Sequence, residues 1–299
     1  MSPTPGATAG CDFSGDVVQL GEDVSDDTLS LGTKVCGCVF GNNPEFRDNG
    51  AFAEYVAVPS KFLLRIPDSM SYQSAATLGI GLSTVGLALY HGLGLESRPS
   101  APSAKSHPVL VSGGGTATGS LAIQVLKLAG LEPVTTCSSG SVERLQRLGA
   151  VATFDYRSPT CGNDIREYTD NKLVFALDCQ ADMGSMAICY NAIGSSGGRY
   201  MALNPFPLRG HRRRSVRPDW VFMFTQFSQP ITWKRPYRRE PQLEDREFAE
   251  KWYVELQRML ERLEPVPYRE RVGGLAAVME GVESVGKGEV AGCKLVYRV

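Results

Sequence analysis

Histidine is scarce in this chain: three among 299 residues, at His91, His107 and His211, far apart in sequence. The eight cysteines do not make up for it. Cys36 and Cys38 form a C-x-C inside the strand-like KVCGCVF, and no C-x-x-C pair follows. Zinc sites draw on tighter ligand clusters, so no metal is expected and the cysteines read as small buried hydrophobes. An excess of charge is missing too. Lys and Arg number 31 against 32 Asp and Glu, a net charge of −1, so no global field recruits nucleic acid or a membrane surface. No apolar run reaches the roughly 18 residues of a spanning helix. The opening MSPTPGATAGCDFSG lacks the basic and apolar regions of a signal peptide. These absences predict a cytoplasmic protein with reduced thiols. There is also no internal repeat and no long low-complexity tract.

What stands out instead is the stretch 108–130, PVLVSGGGTATGSLAIQVLKLAG. A short apolar run (Val109, Leu110, Val111) ends in Gly113, Gly114 and Gly115. A helical pattern then follows through Leu121, Ile123, Val125, Leu126 and Leu128. Strand, tight turn and helix in this order let backbone N–H groups approach a pyrophosphate, and the helix N-terminus favours its charge. A glycine pattern gains meaning only in that context.

The length suits two domains. The first sixty residues are strand-rich, with strands expected over 13–20, 34–40 and 51–58. A helix is expected over 71–90; its glycines at 79, 81 and 86 would ordinarily weaken it and suggest close approach by a ligand. A Pro/Ser/Ala-rich loop covers 97–106. From 108 onward strands (109–112, 133–137, 151–155, 173–178, 198–203) alternate with helices (118–129, 141–148, 163–169, 183–193). That alternation indicates an α/β fold with a doubly wound parallel sheet of the Rossmann kind. Residues 212–217, RRRSVR, read as a basic loop, either solvated or facing an acidic partner. An amphipathic helix is expected over 243–263, and the chain closes on a strand, CKLVYRV.

NAD sites usually place an acid at the end of the second strand, on the ribose hydroxyls. Here that strand ends in Cys137, Ser138, Ser139, Gly140 and Ser141, and Glu132 lies at its other end. Hydroxyls and free backbone N–H groups suit a 2′-phosphate, with Arg144 and Arg147 one and two helical turns on and Tyr156 after the third strand. The cofactor expected is therefore NADPH. Ser138–Ser141 would also serve as an ordinary helix cap, and the two readings are compatible.

The chain as a whole resembles the medium-chain dehydrogenases/reductases, and within them the fungal trans-acting enoyl reductases that serve highly reducing polyketide synthases. The resemblance rests on PGATAGCDFSGDVVQLG (5–21), AATLGIGLSTVGLALY, GGGTATG, TCS at 136–138, FDY at 154–156, PDW at 218–220 and the terminal VAGCKLVYRV. It implies a β-rich GroES-like catalytic domain beside the Rossmann domain, with 1–81 and 233–299 in the first and 82–232 in the second. Zinc-dependent relatives carry Gly-His-Glu where this chain has Gly10, Cys11 and Asp12, which implies zinc-independent chemistry. The family's catalytic domain normally begins well upstream, so the resemblance implies a domain incomplete at its N-terminus, with exposed sheet edges. Arg212–Arg214 and Gln226 look unusual for the family's substrate-wall region.

Carried over residue by residue, the resemblance implies these roles. Gly115, Thr116, Ala117 and Thr118 hold the pyrophosphate. Ser138, Ser139, Gly140, Ser141 and Tyr156 hold the 2′-phosphate end. Leu203 and Asn204 lie near the nicotinamide ribose, and Val290 and Ala291 touch the cofactor from the closing segment. Ile80, Gly81, Leu82, Ser83, Thr84, Val85, Gly86 and Leu87 line the substrate channel, and Met223, Phe224, Thr225, Gln226 and Phe227 form the opposite wall, unless both walls are simple core. The implied reaction is NADPH-dependent reduction of an α,β-unsaturated polyketide thioester tethered to a partner synthase. Thr84 or a nearby N–H would donate to the thioester oxygen; Tyr90 and water are the candidate proton donors. A monomer is expected. The alternatives are a stand-alone quinone or enone reductase, and an inactive short relative that binds NADPH without turnover.

Overall fold

The computed structural model describes residues 4–24 and 29–299; the first three residues of the opening motif lie outside that range. The chain forms two compact units, 1–83 with 223–299, and 84–222.

The first unit opens on an antiparallel sheet of β1 (Asp12–Asp16), β2 (Lys34–Cys38) and β3 (Leu63–Arg65), in that order. β1 is shorter than the 13–20 expected, because Val17 turns to exchange backbone hydrogen bonds with Gly32 and Thr33. The strand expected over 51–58 is absent. The amides of Ala51 and Phe52 donate instead to the carbonyls of Gly10 and Ala9, so this stretch braces the loop before β1. The helix expected over 71–90 is broken into α1 (Tyr72–Ala75), α2 (Gly79–Gly86) and a wider π turn, Leu87–Gly92. Ser71 caps α1 by accepting from the Ser74 amide. Gly79 explains where α2 starts: a Cβ there would lie 2.1 Å from the Gly37 carbonyl oxygen. Its glycine serves close approach to β2, not to a ligand. The division between the two units falls within α2.

The second unit alternates as the sequence pattern requires: β4 (Pro108–Ser112), α3 (Ala117–Leu128), β5 (Glu132–Cys137), α4 (Val142–Arg147), β6 (Ala152–Asp155), α5 (Cys161–Tyr168), β7 (Phe175–Asp178), α6 (Met183–Ala192), β8 (Gly198–Ala202) and β9 (Val216–Trp220). The six strands are parallel, in the order β6-β5-β4-β7-β8-β9. The winding reverses beside β4, the position where such sheets bind ligands at their carboxyl ends. Leu110, Val134, Ala176 and Tyr200 are buried in the sheet with Ile165 and Met186 from the helices and Ile193 just past the end of α6. The basic stretch 212–217 is not all loop, because Val216 opens the edge strand β9. Pro218 is tolerated there because an edge strand has no ladder partner for one row of its N–H groups.

The chain then completes the first unit with α7 (Leu243–Met259), β10 (Tyr268–Arg271), α8 (Gly274–Gly286) and β11 (Lys294–Tyr297); β10 and β11 pair in parallel. The amphipathic 243–263 stretch is α7 followed by a single tight turn, Leu260–Arg262. The unit's core is aromatic. Phe40 stacks on Phe224 with ring centroids 4.3 Å apart and meets Trp233 edge-on, while Phe62 meets Phe227 and Tyr253 edge-on.

Candidate functional site

The turn between β4 and α3 is held by its own hydrogen bonds. Gly113, with φ at 83°, donates its N–H to Thr136 Oγ1 (2.9 Å), and the Gly114 N–H donates to the Thr136 carbonyl (3.0 Å). Thr116 caps α3. Its Oγ1 accepts from the Gly119 amide (3.0 Å) and donates to the Gly113 carbonyl (2.8 Å). These bonds use the amides of Gly113, Gly114, Thr116 and Gly119. Those of Gly115, Ala117 and Thr118 are not among them, and the last two lie ahead of the first intrahelical bond, Ser120 to Thr116. A phosphate needs donors of this kind at a helix N-terminus. The bareness of the turn is enforced by packing. A Cβ at Gly114 would lie 2.1 Å from Thr135 Oγ1, and one at Gly119 would lie 2.4 Å from the Gly113 carbonyl.

The other predicted residues of this unit gather along the same sheet edge. A Cβ at Gly115 would lie 3.3 Å from Ser141 Oγ, so the turn faces the serine segment after β5. Ser139–Ser141 form a tight turn and Ser138 Oγ lies 3.5 Å from Ser141 Oγ. Ser139 and Gly140 are exposed. Tyr156 follows β6, whose last residue, Asp155, pairs in register with Cys137 at the end of β5. The serine segment and Tyr156 thus leave adjacent strands side by side. Leu203 and Asn204 leave β8 at the same edge, and the Leu203 amide bonds to the Asp178 carbonyl.

Two residues at this edge escaped the sequence reading. Arg157 holds its guanidinium 4.5 Å from the Tyr156 ring centroid and 3.6 Å from Asp155. Asp178 ends β7 fully buried. Its carboxylate accepts from the amides of Gln180 and Ala181, from Ser185 Oγ at 2.7 Å and from Tyr200 OH at 2.8 Å. Burial pushes its pKa above the usual carboxylate range, while these donors pull the other way. Asparagine offers one acceptor oxygen and turns an NH2 toward donors. Asp178→Asn should therefore cost about 3 kcal/mol of folding stability, read as a lower midpoint in a urea melt.

Ser83 and Gln226, one residue from each predicted wall, meet at Cys38 in the first unit. Gln226 Nε2 donates to Cys38 Sγ (3.1 Å). Ser83 Oγ and Tyr253 OH each lie 3.3 Å from that sulfur and 2.7 Å from one another. Trp252 Nε1 donates to the Leu82 carbonyl. Burial raises the Cys38 thiol and lifts Tyr253 well above the ordinary phenol range, so both stay protonated at neutral pH. Gly81, Leu82 and Ser83 are buried, Ile80 is half-buried, and all of Met223–Phe227 is buried. Gln226 Oε1 is buried without a hydrogen-bond partner. Thr84–Leu87 belong to the second unit and are buried there, and Tyr90 is buried with the Arg98 guanidinium over its ring at 5.0 Å. Val290 and Ala291 precede β11 in the first unit, half-buried and exposed.

A metal does not fit where zinc-dependent relatives carry theirs. Asp12 Oδ2 is paired with Lys294 Nζ at 2.5 Å, and its Oδ1 accepts from the Ile80 amide. Burial pushes the Cys11 thiol up to about 12, so it stays protonated at neutral pH. Among the described residues, no three His, Cys, Asp or Glu side chains converge as ligands.

Residues 1–68 match the alcohol dehydrogenase GroES-like domain family. Over its whole length the chain is 54% identical to the trans-enoyl reductase opdC of Penicillium oxalicum and 50% identical to the trans-enoyl reductase apdC of Emericella nidulans, covering 84% of each. Among solved structures it is similar to CurK enoyl reductase, with a TM-score of 0.72 at 17% identity, covering 98% of this chain and 80% of that one. It is likewise similar to a putative zinc-dependent alcohol dehydrogenase from Rhizobium etli, with a TM-score of 0.76 at 20% identity, covering 98% and 81%. At such identities the structural likeness speaks for the fold.

Proposed function

The chain belongs to the fungal trans-enoyl reductases of the medium-chain dehydrogenase/reductase superfamily, oxidoreductases that use a nicotinamide cofactor, and on that premise we propose that it uses NADPH to reduce the carbon–carbon double bond of an α,β-unsaturated polyketide thioester carried by a partner polyketide synthase. The observation that carries this reading is the glycine cradle, with amides of Gly115, Ala117 and Thr118 uncommitted at the N-terminus of α3. Those amides take the pyrophosphate. Ser138, Ser139, Gly140 and Ser141 take the 2′-phosphate end beside Tyr156, and Leu203 and Asn204 border the nicotinamide ribose. No acid follows β5 to compete for the ribose hydroxyls.

When bound, the reduced nicotinamide supplies the hydride that adds to the β-carbon of the substrate. The chain's own task is to place that carbon and to stabilise the negative charge that develops on the thioester oxygen. Thr84 carries the donor for that oxygen in this reading. Its burial keeps bulk water from competing for the same hydrogen bond. Among the described residues, no helix is long and apolar enough to cross a membrane.

The test is NADPH consumption with crotonyl-N-acetylcysteamine as the minimal enoyl thioester. Turnover to the saturated thioester is expected; tight NADPH binding with no turnover overturns the assignment. Cofactor choice has its own test in Arg157, whose guanidinium lies over the Tyr156 ring at the end of the strand next to the serine segment. Arg157→Ala should weaken NADPH binding roughly tenfold and leave NADH binding unchanged, measured by fluorescence titration of both cofactors.

A further inference from the structure

The strand order puts one turn of the second unit between the segments read as holding the two halves of the cofactor. β5, β4, β7 and β8 lie side by side in that order. Thr136, Ser112, Asp178 and Ala202 form one row across their carboxyl ends. The serine segment leaves β5, the glycine cradle leaves β4, and Leu203 and Asn204 leave β8. The turn that leaves β7, residues 179–182, therefore sits between the cradle and the pair read as bordering the nicotinamide ribose. Backbone bonds fix it on both sides. The Cys179 amide donates to the Ser112 carbonyl at 3.0 Å, and the Leu203 amide donates to the Asp178 carbonyl at 3.1 Å.

The turn is also held from within. Asp178 Oδ1 accepts from the amides of Gln180 (3.0 Å) and Ala181 (3.2 Å). Ala181 has φ at 60°, in the left-handed region that residues other than glycine seldom enter. Such strain persists where the surroundings over-determine it, and it clusters at ligand clamps. Asp182 is committed to α6, its carboxylate accepting from the Ser185 amide at 2.8 Å. Gln180 differs from both. Its side chain is exposed, and its carboxamide makes no hydrogen bond among the described residues. Yet it does not point away from the cradle. A Cβ at Gly113 would lie 3.4 Å from Gln180 Cγ and 3.4 Å from Gln180 Nε2. An unused carboxamide thus rests against the first glycine of the turn that would take the pyrophosphate.

We propose that Gln180 is a cofactor-binding residue whose carboxamide hydrogen-bonds the ribose on the nicotinamide side of NADPH. The inference rests on the NADPH reading above. A carboxamide offers two N–H donors and one acceptor oxygen, and a ribose diol can use both kinds. It carries no charge, so it adds nothing to the choice between NADPH and NADH, which is made at the other end of the cofactor. A ribose held there restrains the ring attached to it, so Gln180 also positions the hydride donor.

Gln180→Met tests this, because it keeps the length of the side chain and removes its hydrogen-bonding groups. Wild type and variant are titrated calorimetrically with NADPH, with 2′-phospho-ADP-ribose, which lacks the nicotinamide ring, and with adenosine 2′,5′-bisphosphate, which lacks the nicotinamide ribose as well. The variant should lose about fivefold in affinity for the first two and nothing for the third. NADH should weaken by the same factor as NADPH, in contrast to its behaviour with Arg157→Ala. Equal losses for all three ligands overturn the proposal, since a side chain that only shapes the cradle acts on any phosphate placed there. A loss confined to NADPH assigns the contact to the ring and overturns it too, as does wild-type affinity for NADPH in the variant. Wild type that binds none of the three removes the NADPH reading and this proposal with it, a result distinct from the others.

Discussion

Gly119→Ala should cut NADPH affinity by about 100-fold or more, close to 3 kcal/mol, while leaving the parallel sheet folded. The added Cβ would lie 2.4 Å from the Gly113 carbonyl oxygen and 2.9 Å from Gly114 Cα. Both are backbone atoms, so no side-chain rotation relieves the clash. The start of α3 must move away from the turn, and with it the Gly119 N–H that bonds to Thr116 Oγ1. The amides of Gly115, Ala117 and Thr118 then move relative to one another, and a pyrophosphate loses the donors that would replace its hydration. Calorimetric titration with NADPH reads the loss directly. Gly286→Ala is the control, since a Cβ there meets nothing within 4 Å; it should bind as wild type does. Wild-type affinity in the Gly119 variant would mean that the cofactor does not sit on this turn.

That cradle was legible in the sequence because everything that builds it is local. The apolar run of β4, three glycines, a threonine cap and the period of α3 occupy 21 consecutive positions, 108–128. The alternation through β8 was legible for the same reason. β9 was not, because Val216–Trp220 holds an arginine, a proline and an aspartate and is a strand only by its place beside β8. The helix α8 was hidden by its glycines at 274, 281 and 286, and the middle one is required by packing: a Cβ at Gly281 would collide with Tyr297 OH. The expected strand over 51–58 failed for the converse reason. Its composition suits a strand, but its first two amides, of Ala51 and Phe52, bond to Gly10 and Ala9.

The candidate site divides along the same line. Residues near the glycine turn follow strands that the sequence pattern shows, so their place at one sheet edge follows from local signal. The contacts between distant segments carry no local signal. Cys38, Ser83, Gln226 and Tyr253 form one buried cluster from four separate stretches of chain. Asp12 looks like a degenerate metal position in the sequence, yet it fixes the start of α2 through the Ile80 amide and binds β11 through Lys294. Arg157 had a local cue, a cation directly after Tyr156, which becomes telling only once the register of β5 against β6 is known.

Thr84→Val should lower kcat on an enoyl thioester by about 100-fold and leave NADPH affinity unchanged. Valine keeps the shape of threonine and removes the hydroxyl, so the variant separates hydrogen bonding from packing. The backbone that carries Thr84 is held firmly on its N-terminal side. The Leu82 carbonyl accepts from Trp252 Nε1 at 2.9 Å, and Ser83 Oγ lies 2.7 Å from Tyr253 OH. A hydroxyl on so fixed a helix is oriented before substrate arrives, and preorganisation is what makes a donor count in the transition state rather than only in binding. The loss should therefore fall on kcat, with KM for crotonyl-N-acetylcysteamine changing little. Thr84→Ser restores the hydroxyl without the methyl and should recover most of the rate. Equal losses in the valine and serine variants would assign Thr84 to packing and move the oxyanion donor to a backbone amide.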